Sequence, residues 1–182
     1  MKSRRFHVFG ASGSGATSLG RALADALALP HHDVDDYFWL PTVPPYRTQR
    51  DVTERLRLMR EVFLPRADWV LSGSLGSWGD PLIPHFDLVI FLVTPPEIRL
   101  RRLRAREAAH FGADAVRPGG WRYAETEEFV EWASHYEAGD REGRSLERHL
   151  AWLARLPCPV LRLDGSQPLA ELVAEVRRRL DG

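Results

Sequence analysis

The sequence predicts one α/β domain built on a parallel sheet, and three observations carry that expectation. Strand-type and helix-type segments alternate along the chain, the pattern of parallel strands joined by crossover helices. The strongest strand, Asp87 to Val93, is apolar on both faces, as a strand sandwiched between helical layers must be. A length of 182 residues suits a single domain, here 1–182, with a core large enough to need no staples.

The elements follow in order. Arg5 to Phe9 reads as a first strand ending at Gly10, followed by a Gly/Ser-rich turn. Leu19, Leu23, Ala26 and Leu27 recur at helical spacing, and that helix must stop before Pro30. His31 to Val34 is a second short strand running into Asp35 and Asp36. Residues 37–50, with Trp39, Tyr46 and several prolines, read as irregular, and Val52 to Leu64 as helical. Trp69-Val-Leu is a third strand entering Ser72-Gly73-Ser74, and Asp87 to Val93 is the fourth. Glu97 to His110 is an arginine-dense helix, and Gly112 to Gly120 is a break. Phe129, Trp132, Ala133 and Tyr136 mark another helix, and Leu146, Leu150 and Leu153 a further one. Val160-Leu-Arg-Leu is the fifth strand, and Pro168 opens a final amphipathic helix. The irregular stretches near 37–50 and 107–123 read as covers over a site.

Composition narrows the function. Lys plus Arg and Asp plus Glu are 25 each, which argues against a coat for nucleic acid or an anionic membrane. No apolar run reaches the roughly 18 residues of a membrane helix. A single cysteine, Cys158, rules out an internal disulfide framework, and the seven histidines show no zinc spacing. A cytoplasmic protein acting on a small molecule, as a monomer or homodimer, is expected. Lys2 is the one lysine in the chain, so no interior lysine can act as nucleophile or phosphate clamp.

The stretch Gly10-Ala-Ser12-Gly13-Ser14-Gly15-Ala16-Thr17-Ser18 joins the first strand to the first helix. Such a turn aims backbone N–H groups into one concavity, and the helix dipole adds positive potential, so these positions suit a phosphate chain. Against the phosphate-loop pattern G-x-x-x-x-G-K-[ST], Gly10, Gly15 and Thr17 match and Ala16 takes the lysine position. Thr17 keeps the hydroxyl that ligates Mg²⁺ in that pattern. Gly10, Gly13 and Ala16 also fit a looser dinucleotide spacing, so the turn alone leaves both ligands open. A short-chain reductase would need an interior lysine, which weighs against the NAD(P) reading.

Asp33, Asp35 and Asp36 follow the second strand at the ligand-binding edge of a parallel sheet. Strand alternation would put Asp33 and Asp35 on one side, where a carboxylate can order Mg²⁺ waters or take a hydroxyl proton. The same acids could instead cap a helix. Arg99, Arg101, Arg102, Arg104 and Arg106 crowd one helix, an arrangement that needs an anion to offset it or a solvated face to spread it. Arg99, Arg102 and Arg106 share a face by spacing, and Arg141, Arg144 and Arg148 follow on a weaker footing.

Taken together, Gly10 to Thr17, the acids after the second strand, Ser72-Gly73-Ser74 and the arginine helix resemble the nucleoside-monophosphate kinase and shikimate kinase group. The chain is similar in particular to adenylate-kinase-like ATPases whose loop lacks the lysine. The resemblance implies a three-layer P-loop fold with a five-stranded parallel sheet and a small helical lid. It also implies ATP, Mg²⁺ and a small phosphate acceptor, a nucleoside monophosphate or a hydroxylated metabolite. The acceptor-side insertion would span about 37–66 and the lid about 99–148. Asp33 would face the metal with Thr17 and serve catalysis; Asp35, Gly73 and Arg99 would meet the acceptor. Arg102 and Arg106 match the R-x-x-x-R pattern at the lid start and would clamp the transferring group in place of the lysine. Ala16 keeps a second reading open, a nucleotide-binding module with weak or no catalysis. Ser74 sits in a G-x-S-x-G-like context with Ser72 at the first glycine, which makes a serine hydrolase conceivable on letters alone. Trp39, Tyr46, Trp78 and Trp121 could wall a pocket for a ring-shaped substrate, or simply pack.

Overall fold

Strands β1 (Arg4–Gly10), β2 (His31–Asp33), β3 (Asp68–Ser72), β4 (Leu88–Val93) and β5 (Val160–Asp164) form one sheet in the order β2-β3-β1-β4-β5. Every pairing is parallel. The structure is a computed structural model that describes residues 4–43 and 45–181; Lys2 lies outside the described residues. From β1 the chain winds out to β2, returns to β3, then crosses to β4 on the other side. The carboxyl end of β1 therefore lies where the winding reverses, the place in such sheets where a crevice opens for ligand.

Alternation along the strands divides the core into two layers. Phe6, Val8, Ile90 and Leu92 face α1 (Ala16–Leu27) and α8 (Leu169–Asp181), which contribute Leu19, Leu23, Leu172 and Val176. Phe9, Trp69, Leu71, Val89 and Phe91 face the other way, toward Met59 of α3 (Val52–Val62), Phe63 and Leu153 of α7 (Leu146–Leu153). Each such side chain contributes about 1.5–3 kcal/mol by leaving water, which is what presses the helices onto the sheet. A third, smaller cluster joins Leu103 of α4 (Pro96–Phe111) to Val130 and Ala133 of α6 (Tyr123–Ser134), with the single turn α5 (Ala113–Val116) between them.

The structure departs from the sequence reading at several places, one of them the turn α5 inside the stretch Gly112 to Gly120 that was expected as a break. β2 ends at Asp33, and Val34–Phe38 forms the short helix α2. Asp33 and Asp35 are thus not alternate residues of a strand: the Asp33 carboxylate caps α2 by accepting from Asp35 N at 3.0 Å. Residues Ser77–His85, not expected to be regular, form a 3-10 segment containing Pro81 and Pro84. It is held by Asp80, which accepts from Trp152 Nε1 at 3.1 Å and from Arg155 at 2.8 Å. Tyr136 falls beyond the end of α6 rather than within it. Among the described residues no helix is long and apolar enough to cross a membrane.

Candidate functional site

The Gly/Ser turn lies at the carboxyl end of β1, and its conformation follows from two glycines. Gly13 (φ 80°) and Gly15 (φ 98°) hold left-handed backbone that other residues adopt at a cost. Ser14 N donates to Ala11 O at 3.0 Å, closing the turn. α1 begins at Ala16 with no acidic residue in its first turn and no side-chain cap from Gly15, so its leading N–H groups are left to the loop mouth. Thr17 is half-buried in that turn and Ser18 is exposed. Ser14 Oγ is buried without a partner in the structure, beside the point where a Cβ on Gly10 would fall, 2.7 Å away. Unsatisfied donors, positive dipole and an orphaned hydroxyl fit a phosphate chain. Ala16, at the lysine position, packs its methyl against the apolar layer around Leu19.

The loop carbonyls are held from outside. Ser14 O accepts from Thr94 Oγ1 at 3.1 Å and from Arg102 Nη1 at 3.1 Å. The same Arg102 nitrogen donates to Gly165 O at 2.9 Å, tying the loop to the turn after β5. It also lies 3.6 Å from where a Cβ on Gly15 would stand, so the guanidinium borders the loop mouth.

Arg99 behaves differently from the sequence expectation. It is 0% exposed, and its five N–H groups are all committed. Nε donates to Thr94 O at 3.2 Å, Nη1 to Ser12 O at 3.3 Å and Ala133 O at 3.4 Å, and Nη2 to both Glu137 oxygens at 2.7 Å. Its donors are taken up by the protein itself, so the structure turns Arg99 toward the loop backbone and Glu137 and not toward the position expected for an acceptor. Nor do the three arginines act as one face: Arg102 is half-buried on the loop, and Arg106 is exposed, 5.7 Å above the Phe129 ring.

Across the mouth stand the acids. Gly73 (φ 108°) follows β3 so closely behind α2 that a Cβ there would lie 3.6 Å from Asp33 Oδ1. Asp35 sits above its usual carboxylate range, chiefly through desolvation in the cleft and then through the Asp33 charge; Arg144, Arg106 and the Trp39 indole N–H oppose the rise. Arg144 emerges as the cation facing this pair. It donates to Ser12 Oγ at 3.3 Å, and its pKa is lowered by desolvation, against the pull of Asp35 and Asp33. Arg141 and Arg148 are exposed, so only the middle arginine of that trio enters the cleft.

Aromatic rings rim the opening. Trp39 meets Tyr46 at 6.1 Å, Tyr46 meets His110 at 6.4 Å, and Phe111 meets Trp121 at 5.8 Å. The adjacent Arg47 pairs with Glu125 at 2.8 Å, joining the segment before α3 to α6. Trp78 instead packs against Phe38 at 6.2 Å and the Arg55 guanidinium at 5.1 Å. Behind Gly73, Ser74 is buried and bonded to His149 Nε2 at 3.2 Å, with the Tyr136 hydroxyl on Nδ1 at 2.8 Å. Burial holds His149 down to about 4, so this imidazole is neutral and the trio is a structural chain rather than an exposed hydrolase nucleophile.

The curated protein YqaC of Bacillus subtilis (strain 168), itself described as uncharacterized, is 40% identical over 173 residues, covering 95% of each chain. This chain belongs to the YqaC family. No protein-family model matches it. Among solved structures, this YqaC relative is similar to a shikimate kinase from Bacteroides thetaiotaomicron (TM-score 0.55, 18% identity, 98% of this chain and 99% of that one). It is also similar to a shikimate kinase from Acinetobacter baumannii in complex with shikimate (TM-score 0.56, 15%, 98% and 93%). A gluconokinase from Sinorhizobium meliloti 1021 aligns with a TM-score of 0.52 at 19% identity over 98% and 95%. The fold is therefore that of the P-loop kinases of the adenylate and shikimate kinase-like group, with the expected five-stranded parallel sheet.

Several parts of the site escaped the sequence reading. Thr94, Glu137 and Gly165 carried no motif, although Thr94-Pro95-Pro96 and Asp164-Gly165-Ser166 are turn signals placed directly after strands. Trp39 was expected as a wall; its place beside Asp35 follows from α2, where Trp39 N donates to Asp35 O at 3.1 Å, and could not be read from spacing.

Proposed function

We propose that this YqaC-family protein binds ATP with Mg²⁺ and transfers the terminal phosphoryl group to a small hydroxylated acceptor. The observation that supports it is convergence: Arg102 borders the donor-rich loop at the carboxyl end of β1, Arg144 touches Ser12 of that loop, and Arg144 and Arg106 both act on Asp35 beside Asp33. Bound ATP·Mg²⁺ would supply the phosphoryl group and the charge that neutralises it. Gly10, Ser12, Gly13, Ser14, Gly15, Ala16, Thr17 and Ser18 would cradle the phosphates through backbone N–H groups and hydroxyls. Thr17 and Asp33 would hold the ion. An Mg²⁺ carried by nucleotide needs only one or two protein ligands, the rest of its shell coming from phosphate oxygens and water. Asp33 would also serve the transfer, and Asp35 would bind the acceptor's hydroxyl beside Gly73. Arg102, Arg106 and Arg144 would carry the charge that the missing lysine leaves unopposed.

The test is acceptor-dependent ADP release across nucleoside monophosphates, sugars and shikimate-like polyols, paired with thermal protection by ATP·Mg²⁺ and by NADPH. Protection by ATP·Mg²⁺ with turnover on at least one acceptor is expected. Protection without turnover on any acceptor would favour the second reading, a nucleotide-binding module, which Ala16 and its packed methyl group support. Protection by NADPH alone would overturn both.

A further inference from the structure

We infer that Arg99 is a positioning residue for the phosphate loop: a buried cation that sets the loop's shape from behind and fastens it to the segment after α6. The inference rests on the proposed nucleotide reading only for its consequence in binding; the geometry stands without it. A loop that presents N–H groups inward must turn its carbonyls outward, and those carbonyls need donors. Ser12 O and Ser14 O receive theirs from Arg99 and Arg102, one and two turns into α4. The fit is close, since a Cβ on Gly13 would stand 2.5 Å from Arg99 O. Arg99 also reaches three other segments at once: the β4–α4 turn at Thr94 O, α6 at Ala133 O, and Glu137 by two bonds of 2.7 Å. The Arg99 side chain is 1% exposed and Glu137 38% exposed, so the cation is anchored at one end and its carboxylate partner lies toward solvent. The Tyr136 ring lies 5.1 Å from the guanidinium.

Ser12 is gripped twice by arginine, through its carbonyl by Arg99 and through its hydroxyl by Arg144. Arg99 is matched by Glu137, so it acts on the loop by holding the Ser12 carbonyl and not as a net charge in place of a lysine at position 16. Movement of the segment carrying Ala133 and Glu137 must therefore shift Ser12, which couples the cover of the site to the phosphate cradle.

Removing a buried cation can unfold a protein for reasons unrelated to the loop, because Glu137 is left without its partner. The test therefore pairs Arg99→Met with the double variant Arg99→Met/Glu137→Met, in which neither charge remains, and with Arg99→Lys. Two quantities are read on the full chain: hydrogen exchange of the Ser14 amide, which donates to Ala11 O, without nucleotide, and ATP·Mg²⁺ affinity by calorimetry. The double variant should regain the melting temperature lost in the single one, yet exchange the Ser14 amide about tenfold or more faster and bind ATP·Mg²⁺ about tenfold or more weakly, the loss expected for a charge-assisted bond. Arg99→Lys should recover part of the affinity by donating to Ser12 O alone. Wild-type loop exchange in a folded double variant would overturn the inference. If the wild-type protein binds no ATP, the proposed function fails, and the exchange measurement still decides the role of Arg99.

Discussion

At the scale of single residues, the cleft depends on groups whose roles separate cleanly under substitution. Gly15→Val forces a β-branched residue into φ 98°, which costs about 1–3 kcal/mol locally, and puts methyl groups beside the Arg102 guanidinium at the loop mouth. A folded protein that no longer binds ATP in calorimetry is expected; unchanged affinity would remove the loop from the site. Asp33→Asn and Asp35→Asn should part company. The first should leave ATP bound and cut turnover strongly, since an amide lacks the negative charge that draws and orients the ion. The second should raise the acceptor KM with a smaller effect on turnover, because the acceptor's hydroxyl loses a charged partner. Glycines, acids and the vacant lysine position were legible as letters because backbone conformation and charge belong to the residue itself. Arg99 was not: spacing gave it the same face as Arg102, and only the docking of α6 and Glu137 turned it inward.

Helices and strands obeyed their periodicities, and the errors fell where a short-range bond overrode them. The strand pattern through Val34 gave way because the Asp33 carboxylate accepts from Asp35 N and starts a helix, a competition between side chain and ladder that alternation cannot register. The 3-10 segment at Ser77–His85 was hidden by its two prolines. The Arg47–Glu125 pair joins the stretch before α3 to α6, and both partners are roughly two-fifths exposed. Such a pair contributes at most about 1 kcal/mol to stability. Arg47→Ala should thus leave the melting temperature nearly unchanged while speeding proteolysis between residues 39 and 50. A fall of several degrees instead would show that the pair supports the fold and not the position of that stretch.

The whole molecule carries a pH limit in its buried imidazoles. His7 is fully buried in β1, its Nδ1–H donating to Leu71 O at 3.1 Å while Nε2 has no partner. Burial pushes His7 down to about 3 and His149 to about 4. Both are depressed below the ordinary histidine value, so above about pH 6.5 neither affects stability. Below it the unfolded chain takes up protons that the folded chain refuses, and stability is lost as pH falls toward those folded values. The loss amounts to about 2 kcal/mol for each imidazole by pH 5. Denaturation in urea should show this slope, and His7→Phe, which keeps the stacking with Phe9 and Phe86, should flatten it. A slope unchanged by that substitution would place the acid sensitivity elsewhere. The rings that rim the opening have an optical consequence. Trp39, half-buried beside Asp35, and Trp121, 66% exposed, are linked through Tyr46, His110 and Phe111, while Trp69 is sealed in the core. Acrylamide should therefore quench Trp121 and spare Trp69, so a ligand that covers the Trp121 ring would reduce the quenchable share of the emission without any label.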